Sequence, residues 1–339
     1  MPQYDRHRGT AYCPTRLAAA GKTFGWRIVA TERHGGDYNG AGYRLEQNPI
    51  HRVRPRGGTV SNRTPPCRPP HGSRTVVRKE SPMQIATWNV NSLNVRQEHV
   101  LAWLENNPVD VLALQETKLT DDRFPSAAFA EAGYHSVFTG QKTYNGVALL
   151  SRDAPTDVEF ALPGLVDEHK RVIAATVAGV RVIGVYCPNG AALDSPKFDY
   201  KLDWFAALAE WVAAEAAVHD RLVLTGDFNV APRPEDTHDP DKWEGRILCS
   251  PPERAALEKL LDTGLTDCWR LFEEREGRHR FTWWDYRNGG WARNAGLRID
   301  HVLASPALAS ACRDCRAHVG ERGRKRPSDH VPVVAEFEL

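Results

Sequence analysis

No run in this 339-residue chain approaches the roughly 18 apolar residues of a membrane-spanning helix. No positively charged start leads into an apolar stretch of the secretory kind. Both absences predict a soluble, cytoplasmic protein. The seven cysteines are scattered, and Cys312-Arg-Asp-Cys315 is the one close pair. Without a second pair or a His cluster at matching spacing, a zinc site is not indicated, and an odd count argues against a disulfide framework. The cysteines therefore read as ordinary thiols of a reducing compartment. There is no glycine-rich dinucleotide loop and no internal repeat. Methionine is scarce: the only two are Met1 and Met83.

The charge is unevenly spread. The chain carries a net +1, but residues 1–82 hold 15 Lys and Arg against 5 Asp and Glu, a net of +10, which leaves residues 83–339 at −9. The first part is rich in Arg, Gly, Pro and His and shows no sustained period. It has too little apolar surface to offset the entropy of ordering. It is expected to be an unstructured basic extension, either an arm for nucleic acid or an upstream reading of a start at Met83, with local structure confined to fragments such as Phe24 to Ala30.

From Met83 the pattern is that of a packed domain. Gln84 to Val90 and Val109 to Leu114 read as buried strands, with a helix over Val95 to Asn106 between them. Further strands are predicted at residues 134–138, Gly146 to Ser151, Val172 to Val177, Val180 to Tyr186, Leu222 to Leu224, Arg280 to Trp284, Arg298 to Ala304 and Val331 to Phe337. Leu202 to Val218 and Glu253 to Leu261 read as helices. Many strands, interspersed helices and tight hairpins imply an α/β sandwich of two mixed sheets over residues 83–339.

Polar residues recur at the ends of these strands: Asn89, Glu116, Tyr186, Asp227, Asn229, Asp300, Asp329 and His330. Each alone has a plain structural explanation, such as an Asx turn at Asp227 or packing at Tyr186. As a set they supply hard oxygen ligands suited to Mg²⁺ or Mn²⁺. They also supply a histidine with carboxylates for proton transfer or phosphate contact, and amide and phenol groups for orienting an anion. That inventory points to metal-assisted hydrolysis of a phosphate ester.

Eight blocks in order give a resemblance. They are Ala86-Thr87-Trp88-Asn89-Val90-Asn91, Leu114-Gln115-Glu116-Thr117-Lys118, Gly146-Val147-Ala148-Leu149-Leu150-Ser151, Val185-Tyr186-Cys187-Pro188-Asn189-Gly190, Gly226-Asp227-Phe228-Asn229, Thr282-Trp283-Trp284-Asp285-Tyr286-Arg287, Leu297-Arg298-Ile299-Asp300 and Ser328-Asp329-His330-Val331-Pro332-Val333. From Met83 onward the chain resembles the exonuclease III family of abasic-site endonucleases, within the endonuclease/exonuclease/phosphatase superfamily.

The resemblance implies a four-layer sandwich with its site where the two sheets share an edge. It implies Glu116 as principal metal ligand, with Asn89 and either Asn91 or Asp329 nearby. Asp227 would position or deprotonate the attacking water with help from Asn229, His330 would contact the phosphate and be oriented by Asp300, and Tyr186 would lie near the phosphate or the leaving oxygen. Asn91, Arg171, Asn189, Lys197, Trp283 and Arg287 would contact substrate, with Trp283 walling a pocket for a base-less sugar and Trp284 either joining it or packing in the core. The implied activity is cleavage 5′ to abasic sites and 3′-end trimming of double-stranded DNA, by a monomer associated with the nucleoid and needing Mg²⁺ or Mn²⁺. Two other readings stay open. One is a superfamily phosphodiesterase of other specificity, either a general nuclease or an inositol-phosphate enzyme. The other is a binding module that has lost catalysis.

Overall fold

The computed structural model describes residues 26–30, 43–47 and 82–339. The expectation for the rest of the extension lies outside the described residues. Within the first part, strands β1 (Trp26–Ala30) and β2 (Tyr43–Gln47) pair antiparallel, with Trp26 opposite Gln47. The remaining elements in chain order are β3 (Met83–Asn89), α1 (Leu93–Asn106), β4 (Val111–Gln115), α2 (Ser126–Glu131), β5 (His135–Thr139), β6 (Val147–Ser151), β7 (Thr156–Glu159), β8 (Val172–Val177), β9 (Val180–Tyr186), α3 (Pro196–Val218), β10 (Leu222–Asp227), α4 (Pro240–Trp243), α5 (Pro251–Leu261), β11 (Thr266–Asp267), β12 (Trp283–Trp284), β13 (Gly296–Leu297), β14 (Asp300–Ala304), α6 (Pro306–Ala311), β15 (Cys312–Ala317) and β16 (Val333–Phe337). Among the described residues no helix is long and apolar enough to cross a membrane.

Two six-stranded sheets result, in the orders β15-β16-β3-β4-β6-β5 and β11-β14-β10-β9-β8-β7. Each is mixed, because each contains one parallel pair, β3 with β4 and β9 with β10. A parallel pair needs a crossover, and α1 and α3 supply it. The strand sequences are apolar at nearly every position because both faces are covered. Ile85, Val111, Ala113 and Leu149 of the first sheet meet Ile173, Val182, Val223 and Val302 of the second in the central core. The alternate residues face outward. Trp88, Leu112 and Leu114 pack with Val100 and Trp103 of α1. Ile183, Leu222 and Leu224 pack with Trp204 and Leu208 of α3 and Leu257 of α5. The layers are helix, sheet, sheet, helix, as expected.

The sheets approach closely at Gly184. A Cβ there would stand 3.3 Å from Leu149 Cδ2 and 3.5 Å from Ala113 Cβ, both on the facing sheet.

Several boundaries differ from the sequence reading. The helix expected from Leu202 begins at Pro196, whose fixed φ suits a first helical position. The strand expected over Arg280 to Trp284 shrinks to its last two residues. β7 and β15 carry too many charges to read as strands, and they form at the sheet edges where one side faces water. The strand expected over Leu222 to Leu224 runs on through Gly226 to Asp227. Gly226 lies inside β10, where a Cβ would fall 1.9 Å from Val185 O of β9, so only glycine lets these strands pair.

Candidate active site

The polar residues that end the strands come together because of register. In the second sheet Asp227 is level with Tyr186 on one side and Asp300 on the other. In the first sheet Asn89 is level with Gln115, which places Glu116 one residue past the row. One amide joins the sheets: Asn89 Nδ2 donates to Glu116 Oε1 and to Asp227 Oδ2, both at 2.9 Å.

Asp227 and Asn229 do form an Asx turn. Asn229 N donates to Asp227 Oδ1 at 2.9 Å, and Asn229 takes a left-handed φ of 51°. The turn serves the site as well as ending the strand, since Asn229 Nδ2 also lies 3.3 Å from Asp227 Oδ2. Asn189 Nδ2 donates to Asn229 Oδ1 at 3.0 Å.

His330 stands between two carboxylates. Its Nδ1 is 2.9 Å from Asp300 Oδ2, and its Nε2 is 3.8 Å from Asp227 Oδ2. Thr282 Oγ1 donates to Asp300 Oδ2 at 2.6 Å. Arg298, two residues before Asp300, pairs with Asp236 and Asp267 and leaves the Asp300 carboxylate to His330 and Thr282. Burial alone would lower the pKa of His330, but the charges of Asp300, Asp227 and Asp329 reverse that and raise it to about 10. Burial, with Asp300 adding to it, raises Asp227 to about 7 against the opposing pull of His330 and Asn89. Tyr186 is pushed well above the ordinary phenol range by burial and by Glu116 and Asp227.

The remaining expected residues fall into four groups. Asn91, Asp329 and Trp283 form a chain beside His330: Asn91 Nδ2 donates to Asp329 Oδ1 at 2.9 Å and Trp283 Nε1 to Asp329 Oδ2 at 3.0 Å. Asp329 is held below the usual carboxylate range: burial opposes this, and His330, Asn91 and Trp283 overcome it. Arg171 lies with its guanidinium carbon 4.8 Å from the Tyr186 ring centroid and donates to Tyr186 O at 3.2 Å. Lys197 and Arg287 are exposed and outside the cluster; Arg287 pairs with Asp285 at 2.8 Å. Trp284 is buried against Trp291, so of its two expected places it takes the core.

Lys201 was missed. It is fully buried, donating to Asn229 O at 2.8 Å, Asn189 O at 3.2 Å and Glu253 Oε1 at 2.5 Å. A cation in the apolar series Phe198, Lys201, Phe205, Leu208 was the available signal, since a lysine on a buried helix face requires a partner.

The oxygen donors fit a hard cation. Glu116 Oε2 already takes a positive charge, the Lys118 ammonium at 2.7 Å, while Asn89 holds the other oxygen. Asp227, Asp300 and His330 also bring ligand atoms within 4.8 Å of one another, so the site can hold a metal ion there too. Asp329 would exchange hydrogen bonds from Asn91 and Trp283 for a metal, as Glu116 would exchange Lys118.

Residues 86–330 match the model of the Endonuclease/Exonuclease/phosphatase family. Exodeoxyribonuclease III of Haemophilus influenzae is 35% identical over 268 residues, spanning 76% of this chain and all of that one. A structure of the 3′ phosphatase NExo from Neisseria, bound to a product DNA hairpin, is 55% identical and superposes with a TM-score of 0.73, covering 76% of this chain and all of that one. An AP endonuclease structure from Archaeoglobus fulgidus is 41% identical with a TM-score of 0.72 over the same shares. By the family match over residues 86–330 and these identities, the chain belongs to the endonuclease/exonuclease/phosphatase family, on its exonuclease III branch of DNA-repair nucleases.

Proposed function

We propose that the chain hydrolyses phosphodiesters of double-stranded DNA, 5′ to abasic sites and at blocked or recessed 3′ ends, with Mg²⁺ as its ion and Mn²⁺ able to substitute. The observation that carries this reading is the facing pair of Asp227 and His330, whose oxygen and nitrogen stand 3.8 Å apart at the junction of the sheets. A phosphate beside His330 would meet an imidazolium held by Asp300, which offsets its negative charge. A water beside Asp227 would meet a buried carboxylate whose raised pKa makes it a capable proton acceptor near neutrality. Asn229 and Asn89 fix that carboxylate through both of its oxygens. Glu116 and Asn89 would hold the metal, which when bound supplies Lewis-acid stabilisation of the developing phosphate charge. Tyr186, half-buried and un-ionised, would donate towards the phosphate or leaving oxygen. Asn189, Arg171, Lys197 and Arg287 would contact the DNA backbone, and Asn91 and Trp283 would line the sugar pocket.

On this reading the enzyme comprises residues 83–339, acts as a monomer and works in the cytoplasm on nucleoid DNA; the five described cysteines are free thiols, which suits that compartment. The 55% identity to a 3′ phosphatase favours 3′-end processing as the larger share of its activity. The test compares an abasic duplex, a duplex with a 3′-phosphate, an intact duplex and a phosphoinositide under the same metal. Cleavage of the first two is expected. Hydrolysis of the phosphoinositide with both DNA substrates untouched would overturn the reading.

A further inference from the structure

The run Arg322-Gly323-Arg324-Lys325-Arg326 ends three residues before Asp329. A run of cations is usually just a solvated surface. This one is tied down. Arg96, at the start of α1, gives its guanidinium to the loop and its neighbours: Nε donates to Arg326 O at 3.2 Å, and Nη2 to Pro327 O at 2.9 Å and to Tyr286 Oη at 3.0 Å. Nη1 donates to Asn91 O. The Tyr286 hydroxyl donates to Pro327 O at 2.8 Å, and Ser328 Oγ to Asn89 O at 2.7 Å. Arg326 is held at a left-handed φ of 53°, unfavourable for a residue with a Cβ.

The loop's own cations then divide. Arg322 turns inward, donating to Trp284 O at 3.2 Å. Arg324, Lys325 and Arg326 are exposed. Arg324 pairs with Glu321. Among the described residues no carboxylate pairs with Lys325 or Arg326, although residues 83–339 carry a net −9. Two exposed, unpaired cations on a fixed backbone stay available to an anion from outside, at little cost in breaking existing pairs. Lys325 is four residues from Asp329, so no more than about 14 Å of chain separates it from the site.

We propose that this loop is a contact for the sugar-phosphate backbone of duplex DNA next to the cleaved position, with Lys325 and Arg326 each neutralising a phosphate. The proposal rests on the reading of the site as a DNA nuclease.

The test is equilibrium binding of a duplex carrying a stable abasic analogue, followed by fluorescence anisotropy in EDTA so that no cleavage occurs, over about 50 to 200 mM salt. Each phosphate neutralised contributes a slope of about −0.9 in log K against log salt. The Lys325→Ala/Arg326→Ala variant should therefore flatten the slope by about 1.8. Arg221→Ala/Lys259→Ala removes the same charge from the far end of β10 and from α5, and should leave the slope near that of the unaltered protein. Equal slopes for the two double variants would overturn the loop assignment alone. If the unaltered protein neither binds nor cleaves duplex DNA, the nuclease reading falls and the loop assignment falls with it.

Discussion

Asp300 presents both carboxylate oxygens to His330 Nδ1, at 3.1 and 2.9 Å. This leaves Nε2 as the ring nitrogen that faces Asp227. An amide in place of an orienting carboxylate keeps a hydrogen-bonding partner for the ring while favouring the wrong tautomer; in place of a proton acceptor it removes the function itself, because an amide oxygen is barely basic. Asp227→Asn should therefore slow single-turnover cleavage more than Asp300→Asn, by about tenfold or more, equal to about 1.4 kcal/mol in the barrier. The measurement is made at saturating metal on the abasic duplex. The opposite order would move the base role to His330.

Removal of metal by EDTA should abolish cleavage, and Mg²⁺ or Mn²⁺ should restore it. Glu116→Gln keeps an oxygen that can accept from Asn89 but weakens the pull on a cation. The metal concentration for half-maximal rate should rise severalfold in that variant, together with a lower maximum. A normal metal titration would take Glu116 out of the metal site and favour the cluster of Asp227, Asp300 and His330.

A chain beginning at Met83 should fold and cleave at a rate close to that of the full chain. β3 starts at Met83 and is paired on both sides, with β16 and β4, so the domain's first strand needs nothing before it. Insolubility or lost activity would make the basic extension part of the enzyme. Retained activity with a smaller salt slope would make it a DNA-binding arm.

His301 supplies a pH prediction. Its Nε2 lies 3.0 Å from Val230 O and its Nδ1 3.1 Å from Arg298 Nη1, so the neutral ring satisfies both neighbours. Burial and then the Arg298 charge lower its pKa to about 4. The unfolded value is about 6.5, so this stability is present above about pH 6.5 and is lost as pH falls through 4. It is worth on the order of 3 kcal/mol. Asp227 and His330, with raised values, act in the opposite sense but cancel in a comparison of variants. Urea denaturation of His301→Gln should therefore show a deficit against the unaltered protein that shrinks from pH 7 to pH 4. A deficit independent of pH would show that the ring is not held neutral.

The strands and the strand-end residues were legible because both faces of each central strand are buried, which writes apolar runs with abrupt polar ends. Asn89, Glu116, Asp227, Asn229, Asp300 and His330 stood out on that ground and do assemble. β15 was not legible, since an edge strand with alternating charge looks like a loop. Nor was Lys201, whose partner Glu253 lies 52 residues away and whose targets are backbone carbonyls, which no side-chain pattern encodes. Arg287 looked equivalent to the other candidates, but only three dimensions show it paired with Asp285 two positions away.

The bare backbone of Gly184 has a consequence at the rim of the sandwich. Glu116 rides on one sheet and Asp227 on the other, joined by the single amide of Asn89, like two jaws of a caliper. Deep between the jaws, Gly184 leaves room for Leu149 and Ala113 of the facing sheet. A side chain bulkier than a methyl at that point would have to push Leu149 aside or part the sheets, so the spacing available to a metal and a phosphate answers in part to an apolar contact that touches neither.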